Sequence, residues 1–383
     1  MNFRYLTEYL DNDLPMLGIP GSDTVIYLDH TPVYRHSSGY DSIAAGTPVR
    51  QDGIYNLYSC TKVSLCTAAT QLIERGQILP SDPVYAYFPA FGNLHVKMKD
   101  ENGHTVGIRK AEKTMQIGHL LTMTSGMNYD LEMPSLRRVK ETTNGRCPTV
   151  ETVSAMAEEP LEFDPGEDYR YSLSLDVLGA VIEVVSGQSL GEYMKENIFD
   201  PLGMKDTGFR LTEEKKSRLA AMYEYDEKSG KPVEIPVSNV FVFGSEYESG
   251  GAGLLSTVDD QILLADALAH LGLGKNGERI LSPSAVNLMR TNMLNEKQLQ
   301  SFWKMGLRAH GYGYGYGVRT NINPAPFGRL SPVGEFGWDG AKMCYMLIDP
   351  SKKLAVFHAE QMGYLHDIMQ PRFCNLIYGA LDI

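Results

Sequence analysis

Ser59 and Lys62 stand three residues apart in the run Ser59-Cys60-Thr61-Lys62. A serine hydroxyl is a weak nucleophile near neutral pH and needs a base beside it. If Ser59 opens a helix, both side chains lie on one face, a turn apart. The helix N-terminus then adds partial positive charge and unpaired N–H groups. A lysine enclosed in a dry site loses proton affinity and can accept or relay a proton. The chemistry that fits is acyl transfer through a serine ester. The spacing is cheap by itself, since Ser301-Phe302-Trp303-Lys304 repeats it. There, however, Gly306, Gly311 and Gly313 follow where an apolar helix would have to run. Taken alone, Ser59 reads better as a helix cap with a surface lysine nearby.

Other chemistries find little support. The nine histidines include no H-E-x-x-H and no clustered ligand set. His358 and His366 read as a strand and a loop residue. No G-x-S-x-G elbow occurs. The GYGYGYG run lacks the Gly-Lys-Ser/Thr ending of a phosphate loop. Neither a metal nor an organic cofactor is therefore expected. The five cysteines, Cys60, Cys66, Cys147, Cys344 and Cys374, are odd in number and match no metal spacing. They read as reduced core thiols.

A net charge of −12 over 383 residues argues against nucleic acid as a partner. With 43% hydrophobic and 21% charged residues, the chain can bury a large core. No apolar run is long enough to span a membrane, and the first residues, MNFRYLTEYLDNDLP, do not resemble a signal peptide. A cytoplasmic protein without a membrane partner is expected.

The elements that must position Ser59 and Lys62 follow from periodicity. Residues 23–35 predict a hairpin turning at Asp29-His30-Thr31-Pro32. Residues 60–76 predict a helix, with Val63, Cys66, Leu72 and Ile73 at helical spacing and Gly76 as its stop. Residues 174–185 predict an apolar helix stopped by Gly187. Ser189 caps the next helix, which Pro201 breaks. Thr257 caps a helix through Leu271. Strands are expected at 312–318, 342–348 and 354–359, with a turn at Asp349-Pro350-Ser351 and a closing helix from Met369 to Leu381. The glycines of the first of these strands suit close packing against a helix. Strands, then helices, then strands suggest one antiparallel sheet built from both chain ends, with a helical domain inserted.

The run IYNLYSCTKVSLCTAATQLIERGQILPSDPVYAYFP resembles the nucleophile helix of serine β-lactamases, penicillin-binding proteins and related esterases. IGHLLTMTSGM, FDPGEDYRYSLSLDVLGAVIEVVSG and NIFDPLGMKDTGF resemble further segments of that superfamily, in the same order. ESGGAGLLSTVDD, ILSPSAVNLM and GYGYGYGVR extend the likeness over nearly the whole chain. The resemblance implies that Tyr171, opening Tyr171-Ser172-Leu173, is a proton shuttle. A phenol near pKa ~10 becomes a usable base only where a cation such as Lys62 stabilises its phenolate. Leu173 stands where β-lactamases commonly carry asparagine. It cannot hydrogen-bond a substrate amide, which lowers the case for β-lactams and peptides.

The triplet Trp338-Asp339-Gly340 matches the family's third motif. It implies an oxyanion hole from the N–H groups of Ser59 and Ala341, with Gly340 letting substrate approach. Trp338, in place of the family's cation, resembles the triplets of β-lactamase-like carboxylesterases. It offers apolar area to an acyl or alcohol group, or simply packs. Asp339 would bind a cationic group or face solvent.

The expected fold is thus α/β (α+β), β-lactamase/transpeptidase-like. An antiparallel sheet domain (1–62 and 245–383) is flanked by helices, and a mainly helical domain (63–244) is inserted, with the site between them. The catalytic set is Ser59, Lys62, Tyr171 and Ala341; the substrate-binding set is Leu173, Trp338, Asp339 and Gly340. The expected function is a serine carboxylesterase acting on small or apolar acyl esters through an acyl-enzyme, its partner a small-molecule ester or amide. Acyl transfer by the same intermediate, a β-lactamase or D-amino-acid peptidase, and a non-catalytic binding protein on this fold are the alternatives.

Overall fold

The structure is a computed structural model that describes residues 1–363 and 365–381. Its centre is an eight-stranded sheet. The strands used below are β1 (Gly21–Leu28), β2 (Thr31–Ser42), β3 (Thr47–Pro48), β4 (Ile54–Asn56), β5 (Leu255–Thr257), β6 (Tyr312–Tyr314), β7 (Arg319–Asn321), β8 (Phe336–Asp339), β9 (Tyr345–Asp349) and β10 (Leu354–Ala359). The large sheet runs β6-β7-β8-β9-β10-β1-β2-β3, antiparallel throughout. Both ends of the chain therefore meet in one sheet, with β1 against β10 in the register Val25↔Phe357. β4 and β5 form a separate two-stranded pair.

Alternation along these strands divides the core into two layers. Val25, Met346, Ile348, Ala355 and Phe357 face the helices of the chain's middle. Their neighbours Ile26, Tyr345, Leu347, Leu354 and Val356 face the N-terminal helices and the closing helix. β9 and β10 are buried along their whole length, as expected of strands covered on both faces.

Four helices matter for the site: α1 (Thr61–Glu74), α2 (Ser174–Ser186), α3 (Val258–Ala269) and α4 (His366–Leu381). α1 is buried on every side from Thr61 to Leu72, the pattern of a helix at the centre of a large fold. Its polar side chains must then find internal partners. Thr67 and Thr70 donate to the carbonyls of Val63 and Cys66 at 2.8 and 2.6 Å. Gln71 donates to the carbonyls of Asn197 and Ile280, both at 2.9 Å.

Several expectations needed correction. Residues 312–318 are not one strand: the chain turns at 315–317 between β6 and β7, closed by Gly315 N–H donating to Val318 O at 2.9 Å. Gly317 takes φ +66° there, and a Cβ on it would strike Cys66 Sγ of α1. The missing side chains thus serve helix packing. Pro201 does not end its helix; it sits in the first turn of Asp200–Leu202, and the break comes at Gly203, φ +77°. α3 stops at Ala269 rather than Leu271, which lies at φ +53°. β9 starts at Tyr345, because Gly340–Met343 forms a turn. The middle segment also carries two hairpins that the sequence did not suggest, His95–Lys99 with Thr105–Lys110 and Met222–Asp226 with Lys231–Ile235.

All five cysteines are buried and unpaired. Among the described residues, no helix is long and apolar enough to cross a membrane. The core runs without a break from the sheet into the middle segment. We propose the division into 1–62 with 245–383 and 63–244 as the domain organisation. Phe357, fully buried on the central strand β10, tests this core. Phe357→Ala should lower the unfolding free energy by about 3–5 kcal/mol in a urea titration.

Candidate active site

Ser59 lies in a single 3₁₀ turn, Tyr58–Cys60, between β4 and α1. It therefore precedes the helix rather than opening it. Tyr58 adopts φ +46°, uncommon for a bulky residue. Its hydroxyl donates to Ser238 O at 2.8 Å, fastening the turn.

Lys62, in the first turn of α1, has no solvent exposure. Its Nζ donates to Gly251 O at 2.6 Å and to Ser59 Oγ at 3.0 Å. The Tyr171 ring lies 4.7 Å from Nζ, within cation–π range. Burial draws the Lys62 pKa down from 10.5 to about 8, against the opposing pull of the Asp176 carboxylate. At neutral pH roughly a tenth of such a lysine is unprotonated and able to take a proton.

Asp176, on α2, is the buried counter-charge. It accepts from Ser249 Oγ at 2.7 Å and Tyr247 Oη at 3.0 Å, and burial raises its pKa. Gly251 fills the space between carboxylate and ammonium: a Cβ there would fall 2.6 Å from Asp176 Oδ2 and 3.5 Å from Lys62 Nζ.

Tyr129 and Tyr171 line the cavity beside Ser59. Their rings stack at 5.5 Å. Trp338 Nε1 donates to Tyr171 Oη at 3.1 Å. The Tyr171 phenol does not become a ready base here. Burial raises its pKa above the ordinary value, and the neighbouring Ser59 hydroxyl and Trp338 N–H offset this only in part. Tyr171 is thus a neutral hydroxyl in this state, and Lys62 is the group with available basicity.

A cavity of about 690 Å³ opens over Ser59. Tyr129, Tyr171, Phe241, Met305 and Trp338 form its aromatic and apolar wall, and Arg308, Asp339, His366 and Asp367 its charged one. Asp339 borders the cavity, but its carboxylate is taken up by cationic groups of the protein itself. It accepts from His366 Nδ1 at 3.3 Å and lies 3.7 Å from Arg308. Burial disfavours its charge, but His366 and Arg308 outweigh that and hold the carboxyl down at about 2. Ala341 and Gly340 border the cavity beside Ser59. The close approach at Gly340 is by the chain itself, because a Cβ there would meet Leu57 O. Leu173 is not among the cavity's lining residues; it is buried at the start of α2, with its N–H donating to Asn128 O at 3.1 Å.

The fold therefore gathers Ser59, Lys62, Tyr171, Trp338, Asp339, Gly340 and Ala341, and leaves Leu173 in the core. Sequence reasoning missed Tyr129, Asp176 and Arg308. It also treated His366 as a loop residue, whereas this histidine opens α4 at the cavity. Asp176 had a legible signal, five residues beyond Tyr171 in the same motif. Tyr129 and Arg308 had none. His358 is the expected strand residue, bonded to Thr24 and Glu360 within the core. The reading that no metal-ligand set clusters was also incomplete: His30, Asp266 and His270, none of them at the cavity, come together in space.

Comparison with known proteins agrees with this architecture. The sequence profile of the family described as Beta-lactamase matches residues 5–359. Protein Rv1367c of Mycobacterium tuberculosis (strain ATCC 25618 / H37Rv) is 30% identical over 353 residues, covering 90% of this chain and 86% of that protein. Esterase EstB of Burkholderia gladioli is 30% identical over 285 residues, 69% of each chain. The structure of a LovD6 mutant of simvastatin synthase (LovD) from Aspergillus terreus superposes with a TM-score of 0.81 at 22% identity, covering 98% of this chain and 96% of that one.

The opposition between burial and Asp176 at Lys62 can be tested directly. Asp176→Asn removes the charge that supports the ammonium, so the Lys62 pKa should fall further. The pH at half-maximal rate of fluorophosphonate labelling of Ser59, followed by intact mass, should then move to lower pH. An unchanged or raised midpoint would contradict the assigned coupling.

Proposed function

The chain belongs to the beta-lactamase family, and from that premise we propose that it is a serine esterase working through an acyl-enzyme on Ser59. The observation that carries this reading is the fully buried Lys62 Nζ, 3.0 Å from Ser59 Oγ, its pKa drawn down by burial. A buried lysine aimed at a serine that borders a cavity is the arrangement an activated nucleophile needs.

Ser59 Oγ attacks the ester carbonyl as its proton passes to neutral Lys62. The developing oxyanion is held by the N–H groups of Ser59 and Ala341. Tyr171, beside Ser59, delivers its proton to the leaving alcohol while the proton that Lys62 took from Ser59 passes on to Tyr171, so that Lys62 is again neutral and Tyr171 again a phenol; Trp338 fixes the Tyr171 hydroxyl. Water then enters by the same relay and releases the acid. Tyr129 lines the same cavity beside Ser59. The aromatic wall favours an apolar acyl or alcohol group. Asp339 and Asp367 both lie against Arg308, so the charged wall offers no unpaired cation for a substrate carboxylate, which speaks against β-lactams and peptide termini.

Acyl transfer is the second reading. A cavity of about 690 Å³ lies in the range that encloses a drug-sized ligand, enough for an acyl group with an acceptor alcohol. An acceptor that raises product release above the hydrolytic rate would establish it.

Three kinetic outcomes are expected with p-nitrophenyl butyrate. Ser59→Ala and Tyr171→Phe should each lower kcat by at least about 10³-fold, as for groups acting as one unit. Trp338→Phe keeps a ring but loses the indole N–H; the loss of one hydrogen bond should cost about tenfold in kcat. The wild-type kcat/KM should rise with pH up to about 8 and then level, because the neutral form of Lys62 is the active one and its pKa is lowered to about 8. A profile already level by pH 6 would exclude Lys62 as the base.

A further inference from the structure

His30, Asp266 and His270 form a group of potential metal ligands that none of the chemistry above uses. Among the described residues it is one place where histidine and carboxylate donors converge, all candidate atoms lying within 4.8 Å of one another. Asp266 is near the end of α3, and His270 follows it by one turn, so both project from the same face. His30 comes from the two-residue turn between β1 and β2. Asp29 and His30 take φ +50° and +64° in that turn, the left-handed geometry of a tight hairpin.

The Asp266 side chain is wholly buried. Its Oδ2 accepts from His30 Nδ1 at 2.7 Å. Among the described residues, no group donates a hydrogen bond to its Oδ1. His270 Nδ1 lies 3.5 Å from it and bonds the Asp266 carbonyl at 2.9 Å instead. The two imidazoles stack with centroids 3.4 Å apart. A buried carboxylate oxygen without a donor is costly, and neither ring is placed to satisfy it. A cation between the rings and the carboxylate would.

We propose that His30, Asp266 and His270 form a structural site for a divalent transition-metal ion of the zinc type. Two imidazole nitrogens and one carboxylate suit zinc and its neighbours, whereas calcium and magnesium require oxygen donors. Bonds of about 2.0–2.1 Å bring donors to roughly 3.4 Å from each other, so binding would require the side chains to close from their present separation of up to 4.8 Å. The fourth position, on the side of the partly exposed His30 (29%), is left to water or to Asp29, whose Oδ1 is 3.2 Å from His270 Nε2 and 2.8 Å from Lys353 Nζ. The ion would pin the β1–β2 turn to α3, the helix packed on the sheet.

The test is equilibrium dialysis of the untagged, chelator-stripped full chain against zinc chloride, with metal quantified per chain, alongside thermal melts with and without zinc. The wild type is expected to retain one zinc per chain and to melt several degrees higher with it. His30→Ala/His270→Ala is expected to lose both effects. If that double variant does not fold, the near-isosteric Asp266→Asn decides, with the same loss expected. No stoichiometric zinc in the wild type, or binding undiminished in the variants, would overturn the proposal and leave only a hydrogen-bonded network.

Discussion

The Lys62 ammonium is buried without exposure in the centre of the molecule, and the rest of the site is arranged around that fact. An isolated buried charge would be prohibitive. Gly251 O, Ser59 Oγ and the Tyr171 ring each take part of its field, and Asp176 supplies a counter-charge at the second rank. The compensation is incomplete, as the pKa of about 8 shows. That shortfall is what makes the lysine useful: a fully paired ammonium would hold its proton too firmly to act. Stability given up at this point is recovered in the continuous core around α1, where twelve successive residues are buried.

The sheet positions what the lysine acts upon. β8 carries Trp338 to Tyr171 and Asp339 to Arg308 and His366, then ends at Gly340, which packs against Leu57 O just before the Ser59 turn. The nucleophile turn and the strand edge are therefore set against each other by backbone contact, independently of any substrate. Because Asp339 is held by groups from α4 and from residue 308, the charged wall of the cavity belongs to the closing layer of the fold.

Much of this was legible in the residues. The Ser59–Lys62 spacing, Tyr171 at the head of its motif and the stops at Gly76 and Gly187 are local signals, and their elements formed within one or two residues of the expected bounds. What escaped were features decided by distant contacts. Tyr129 comes to the cavity beside Ser59 only through the tertiary fold. The GYGYGYG run alternates like a strand, yet its turn is imposed by contact with Cys66 on α1. The direction of the Tyr171 pKa was misjudged for the same reason: proximity to a cation was foreseeable, whereas the depth of burial that outweighs it belongs to the tertiary structure. His30, Asp266 and His270 are separated by 236 residues between the first two, and no linear pattern announces them.

The central claim is that Ser59 carries the acyl group. It is tested most directly by mixing the enzyme with p-nitrophenyl butyrate, quenching in acid during turnover, and mapping the protein by intact and peptide mass spectrometry. The account predicts a single butyryl group on the peptide that contains Ser59, absent from Ser59→Ala. Turnover with no acylated species at any quench time, or an acyl group on another residue, would contradict it.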